Sequence, residues 1–192
     1  MKVVVCITGA SGVCYAKRLL EVLRDKGVEV SLIVSESGKK VIEHELDVDL
    51  DYLIGLSHEY YENSDLFSPL ASGSHLFHSV VVIPCSMKTL SAVANGYSSN
   101  LICRVCDVAI KEKRKLILMP REMPLSSIHL ENMLKLSKLG TIIMPPIPAF
   151  YGKPKTVNDM VDFVVGRVLD ILGIPNDLFK RWGVFKDSQN IF

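Results

Sequence analysis

Long hydrophobic runs are absent from this 192-residue sequence. Nothing uninterrupted approaches the roughly 20 apolar residues of a membrane-spanning helix, which excludes a helical membrane span. An excess of one charge is also absent. The 22 Lys and Arg against 21 Asp and Glu give a net charge of +1, so there is no basic footprint for nucleic acid. Five cysteines, an odd number, fit a reducing compartment better than a disulfide framework. Cys103 and Cys106 form a lone C-x-x-C without a second pair or clustered histidines, and a zinc site needs about four ligands. In the helical run NLICRVCDVAIKEK the two share a face and read as small packing residues. The start, MKVVVCITGASG, has the pattern of a first strand and not of a cleaved signal peptide. The expectation is a cytoplasmic protein with no metal and no membrane or nucleic-acid partner.

What is present is apolar and regular. The sequence is 48% hydrophobic without a membrane span, which points to apolar surface buried between subunits and hence a homo-oligomer. Periodicity alternates strand and helix. Strands are expected at 3–8, 28–34, 79–84, 116–119 and 141–144, and helices at 11–26, 38–46, 86–95, 100–113, 126–139 and 156–172. Residues 47–78 mix polar and aromatic types and read as a long excursion with some local structure. Four prolines in PPIPAFYGKP, 145–154, exclude a helix or an inner strand there. Continuous apolar strands alternating with helices mean a doubly wound α/β domain, mostly parallel and covered on both faces. One domain over 1–182 with a polar tail over 183–192 is expected. The strand-to-helix loops, Gly9–Gly12, Ser35–Ser37, Cys85–Thr89 and Arg121–Glu122, should gather at one sheet edge.

ITGASG between strand and helix suits a phosphate, because small residues let the backbone approach and a helix start offers N–H groups. It also resembles the T-G-x-x-G opening of short-chain dehydrogenases, with Glu36 where a ribose-binding carboxylate would sit. Against that nicotinamide alternative, Tyr15 stands where the last glycine of the fingerprint belongs. Tyr151 and Lys155 have Y-x-x-x-K spacing, but Pro154 lies between them. Ser86 and Thr89 in CSMKTL can donate at a helix start, or Ser86 can simply cap it. Arg121 and Glu122 stand between Pro120 and Pro124, on a stiffened loop past a buried strand.

ITGASG, ASGS (71–74), PCSMKTL (84–90), PREMPLSSIHLENML (120–134) and PPIPAFY (145–151) occur in this order. Together they resemble the flavin prenyltransferases of the UbiX family over about residues 2–182, within the wider flavodoxin-like family of FMN-dependent cysteine decarboxylases. Those decarboxylases are the second alternative, but they lack the PREMP segment. The resemblance implies transfer of a dimethylallyl group from dimethylallyl monophosphate to N5 and C6 of reduced FMN, without a metal. It implies a product for a separate UbiD-type decarboxylase and a dodecamer built from trimers. Carried onto matching positions, Gly9, Ala10, Ser11, Ser35, Ser86, Met87, Lys88, Thr89 and Arg121 would hold FMN. Tyr151, Arg167 and Lys111 would hold the allylic phosphate, partly across subunit boundaries, with Arg104 a further contributor. Glu122 would relay a proton to the leaving phosphate. Ser11 with Glu45, or with Glu43 in the same VIEHEL segment, resembles the pair that removes the C6 proton. Trp182 either closes over the site or makes a subunit contact. His75–His78 and Cys14 depart from the family pattern.

Overall fold

The computed structural model describes residues 1–183, so the expected polar tail lies, past Gly183, outside the described residues. The chain divides into two compact units, Met1–Pro146 and Ile147–Phe192. In the first, chain order runs β1 (Lys2–Ile7), α1 (Val13–Asp25), β2 (Glu29–Val34), α2 (Glu36–Glu45), α3 (Leu50–Gly55) and β3 (Glu59–Glu62). It continues with β4 (Ser79–Cys85), α4 (Met87–Ala94), α5 (Leu101–Lys111), β5 (Lys115–Pro120), α6 (Ser127–Lys138) and β6 (Ile142–Ile143). All strand pairs are parallel, in the order β3-β2-β1-β4-β5-β6.

β1 and β4 are buried along their whole length, as central parallel strands must be when helices cover both faces. Val4, Cys6, Val80, Val82, Leu116 and Leu118 share one face and pack with α4, α5 and Leu136 of α6. The alternate residues Val3, Val5 and Val81 face the other way, toward the side where α1 crosses β1, β2 and β4. α1 buries Val13, Ala16, Leu19, Leu20 and Leu23, three or four residues apart. Past the C-cap Lys26, Gly27 takes φ 65°, the left-handed conformation that lets the chain turn back into β2. Cys103 and Cys106 lie buried on α5, and burial pushes both thiols up, as packing residues behave.

The chain moves outward from β1 to β2 and β3, then returns to the other side of β1 for β4. That reversal makes a crevice at the carboxyl ends of β1 and β4, where open α/β sheets bind ligands. Leaving out the short edge strand β3, the order is that of flavodoxin. The excursion over 47–78 holds α3, capped by Asp49, and the edge strand β3.

In the second unit the proline-rich stretch carries no helix or strand up to Thr156, and α7 (Val157–Leu172) follows. Thr156 and Asp159 form a capping box at its start, and Gly173 at φ 80° ends it.

The crevice is pinned by Thr8, which is 1% exposed. Its hydroxyl donates to the Pro84 carbonyl at 2.8 Å and accepts from the Ser86 N–H at 2.8 Å. Thr8→Val keeps the shape and removes both bonds. It should cost about 1–3 kcal/mol, read as a lower urea midpoint at fixed protein concentration. Thr8→Ser should restore most of that loss, and equal midpoints for Thr8→Val and wild type would show the bridge to be idle.

Candidate active site

The turn after β1 is shaped by close approach. A Cβ on Gly9 would lie 2.3 Å from Ser37 Cβ, so only glycine lets the loop pass the start of α2. Gly12, at φ 104°, opens α1 without a side-chain cap of its own. Glu45, at the end of α2, takes that role: its Oε2 accepts from Gly12 N at 2.8 Å and from Val13 N at 3.2 Å. Burial opposes ionisation of Glu45, but hydrogen bonds from Ser11, Gly12 and Val13 and the nearby Arg121 charge prevail and hold its carboxyl below the ordinary range. Of the two glutamates in VIEHEL, Glu45 is therefore the one seated on Ser11. The helix start that the sequence pattern offers to a ligand anion already has two N–H groups committed to this carboxylate.

The next two loops are capped helix starts. Ser35 N donates to Ile7 O at 2.9 Å, and Ser35 Oγ accepts from Gly38 N at 3.0 Å. Ser86 Oγ accepts from Thr89 N at 3.3 Å and donates to Thr89 Oγ1 at 3.1 Å, which leaves Thr89 its own hydroxyl hydrogen for another acceptor. Met87 packs on the core beneath, and Lys88 is exposed. Capping and ligand binding thus draw on the same hydroxyls.

Past β5, Arg121 N donates to Cys85 O at 3.2 Å, and both Arg121 and Glu122 are exposed. α6 is capped reciprocally by Ser126 and His129, so the histidine is a capping residue and Glu122 stands outside the cap. Glu122 Oε1 accepts from the Met123 N–H at 3.2 Å. One sheet edge therefore carries Gly9, Ala10, Ser11, Ser35, Ser86, Met87, Lys88, Thr89, Arg121, Glu122 and, through its hydrogen bonds, Glu45. Hydroxyls, a close-approach glycine and an arginine suit a phosphorylated, flat ligand such as FMN.

Lys111 stands elsewhere, whereas Arg104 lies near the start of α5, whose Leu101 N–H donates to Asn63 O just past β3 at 2.8 Å. α5 ends at Lys111, and β5 begins at Lys115 in register with Ser79, the first residue of β4. Lys111 thus belongs to the amino-terminal edge of the sheet, and the rise of β5 separates the two edges by roughly 17 Å. Lys111 pairs with Glu112, while Arg104 donates to Ala71 O at 2.9 Å and Asp107 Oδ2 at 2.7 Å. Arg114, which no sequence motif singles out, clasps the ASGS segment: it donates to Gly73 O at 2.6 Å and His75 O at 2.8 Å and lies 4.3 Å over the Phe77 ring. The departing His75–His78 stretch is held by this clasp and by Lys2 N donating to His78 Nδ1 at 2.9 Å.

In the second unit, Tyr151 sets its ring edge-on to Phe163 at 5.9 Å and to Trp182 at 5.3 Å. The exposed Arg167 pairs with Asp170 at 2.8 Å, and Arg181 binds the same carboxylate. Among the described residues, no three His, Cys, Asp or Glu side chains group as a metal site.

Residues 1–169 match the sequence profile of the family named Flavoprotein. The flavin prenyltransferase UbiX of Methanocaldococcus jannaschii is 73% identical over 183 residues, covering 95% of this chain and 99% of that one. A crystal structure of AnUbiX (PadA1) in complex with FMN and dimethylallyl pyrophosphate is 39% identical, covers 96% of this chain and 98% of that one, and superposes with a TM-score of 0.94. A dodecameric FMN-dependent UbiX-like decarboxylase from Escherichia coli O157:H7 is 45% identical over 95% and 99% of the two chains, with a TM-score of 0.93. This likeness over nearly the whole chain removes the nicotinamide alternative. The chain belongs to the Flavoprotein family and, within it, to the UbiX flavin prenyltransferases.

Proposed function

We propose that this chain transfers the dimethylallyl group of dimethylallyl monophosphate to reduced FMN. The allylic C–O bond breaks, bonds form at N5 and then at C6, the C6 proton leaves, and the prenylated flavin passes to a UbiD-type decarboxylase. The observation that carries this reading is the seating of Glu45 on Ser11 at the same sheet edge as Arg121 and Glu122. One acid–base pair and one cation–acid pair then flank the flavin position, as ring closure and phosphate departure respectively require.

Charge develops on phosphate as the allylic bond breaks, so fixed cations stabilise its departure. In this reading Arg121, Arg104, Lys111 and Arg167 supply that charge, with the Tyr151 hydroxyl donating. Glu122, outside the α6 cap, gives its proton to the leaving oxygen. Ser11 Oγ takes the C6 proton as it passes its own hydroxyl proton to Glu45, whose carboxylate, kept ionised by its hydrogen bonds, is the final acceptor. Gly9, Ala10, Ser35, Ser86, Met87, Lys88 and Thr89 hold the flavin.

The reading requires more than one copy of the chain, because Lys111 and Arg121 occupy opposite edges of one sheet. α6 favours assembly too: Leu136 is its one buried residue, whereas Ile128 is 66%, Leu130 52% and Leu134 56% exposed. A homo-oligomer, a dodecamer as in the E. coli relative, covers this apolar surface. Among the described residues no helix is long and apolar enough to cross a membrane, and a cytoplasmic setting supplies both FMN and a reducing environment.

Two experiments test this. Glu122→Gln keeps the reach of the side chain but cannot give up a proton. FMN affinity should stay within a few-fold while single-turnover formation of prenylated flavin falls by about 10² or more. Equal rates would remove Glu122 as the acid. Separately, Lys111→Ala and Arg121→Ala should each be nearly inactive alone. Dissociated, mixed in equal amounts and reassembled, they should regain about a quarter of wild-type activity, since random mixing gives one intact site in four. No recovery would place both residues in a site built by a single copy.

A further inference from the structure

The second unit holds a concavity that the proposed chemistry does not use. A cavity of about 290 Å³ is lined by Phe163, Leu178 and Phe179, all half-buried, and by the exposed Lys153, Lys155 and Lys180. That volume suits a small ligand. Its one lining carboxylate, Asp159, is already committed: Lys155 N and Thr156 N donate to it at 2.7 and 3.0 Å, and these bonds hold its carboxyl below the usual range. The Arg181 guanidinium, paired with Asp170, lies 5.1 Å over the Phe179 ring and backs the apolar floor.

An aromatic floor beneath a lysine rim selects an amphiphilic anion. A bare inorganic anion would gain nothing from Phe163 and Phe179, and a neutral hydrocarbon nothing from three ammonium groups. The pocket also borders the allylic-phosphate residues. Tyr151 touches Phe163 edge-on at 5.9 Å, and Arg167 follows Phe163 by four residues on α7, one turn along the same face. Neither lines the pocket, so it is a separate volume beside them.

We propose that this pocket is a second binding site for a short isoprenoid phosphate, with the hydrocarbon on Phe163 and Phe179 and the phosphate at Lys153, Lys155 and Lys180. It would hold the co-substrate one aromatic ring away from Tyr151. The proposal rests on the reading that an allylic phosphate is the co-substrate.

Calorimetric titration of the oligomer, loaded with oxidised and therefore unreactive FMN, separates the two claims. Dimethylallyl monophosphate should bind at two sites per chain in wild type and at one in the combined variant Lys153→Gln, Lys155→Gln, Lys180→Gln. That variant should keep its single-turnover rate at saturating co-substrate. Phe179→Ala should weaken the second site by about tenfold, and inorganic phosphate should compete for it poorly. One site in wild type, two unchanged sites in the lysine variant, or equal competition by inorganic phosphate would overturn the pocket assignment. Failure of reduced wild type to form prenylated flavin would instead overturn the function, whatever the stoichiometry.

Discussion

The hydroxyl of Thr8 joins the two strands between which the chain reverses its direction of winding. It donates to Pro84 and receives from Ser86, so the ends of β1 and β4 cannot separate or slide independently. The same edge is stitched on either side, by Ser35 N to Ile7 O and by Arg121 N to Cys85 O. Four loops are thereby spaced by backbone geometry. Reacting groups displaced by about 1 Å lose large factors in rate, so a site assembled from four loops depends on these short cross-links.

The electrostatics of the edge follow from what occupies the start of α1. A helix amino terminus carries positive potential, and here Glu45 meets it with two N–H bonds and the Ser11 hydroxyl. Potential that a free anion would otherwise use instead keeps a carboxylate charged beside a serine. What this edge still presents is the exposed Arg121 and the hydroxyls that also cap α2 and α4. The glycine turn thus seats a carboxylate where a plain phosphate cradle would leave its N–H groups open.

Much of this was legible in the residues. Central strands announce themselves as unbroken β-branched runs, and Ser86 stands where a cap belongs; the cap at Ser35 was missed because α2 starts two residues before the expected 38. β3 was not legible, because the half-exposed edge strand EYYE lacks both a buried run and a clean alternation. The Thr8 bridge spans 76 residues and leaves no local trace. Glu43 and Glu45 were equivalent by composition, and only the phase of α2 puts the second on the glycine turn. The remoteness of Lys111 from Arg121 is a matter of strand register: Lys115 pairs with Ser79, and that pairing sets which end of the sheet the α5 terminus reaches.

Among the described residues the sheet ends on both sides in very short strands, four residues in β3 and two in β6. Each exposes few unpaired backbone groups, which removes the template for a neighbouring chain to add a strand. Copies of this chain must therefore recognise one another through side chains, chiefly those of helices, and not through continued backbone ladders. Side-chain surfaces discriminate by shape and charge, whereas a bare strand edge accepts almost any extended segment. A sheet trimmed in this way permits a large assembly of finite size while closing the route to open-ended fibrils.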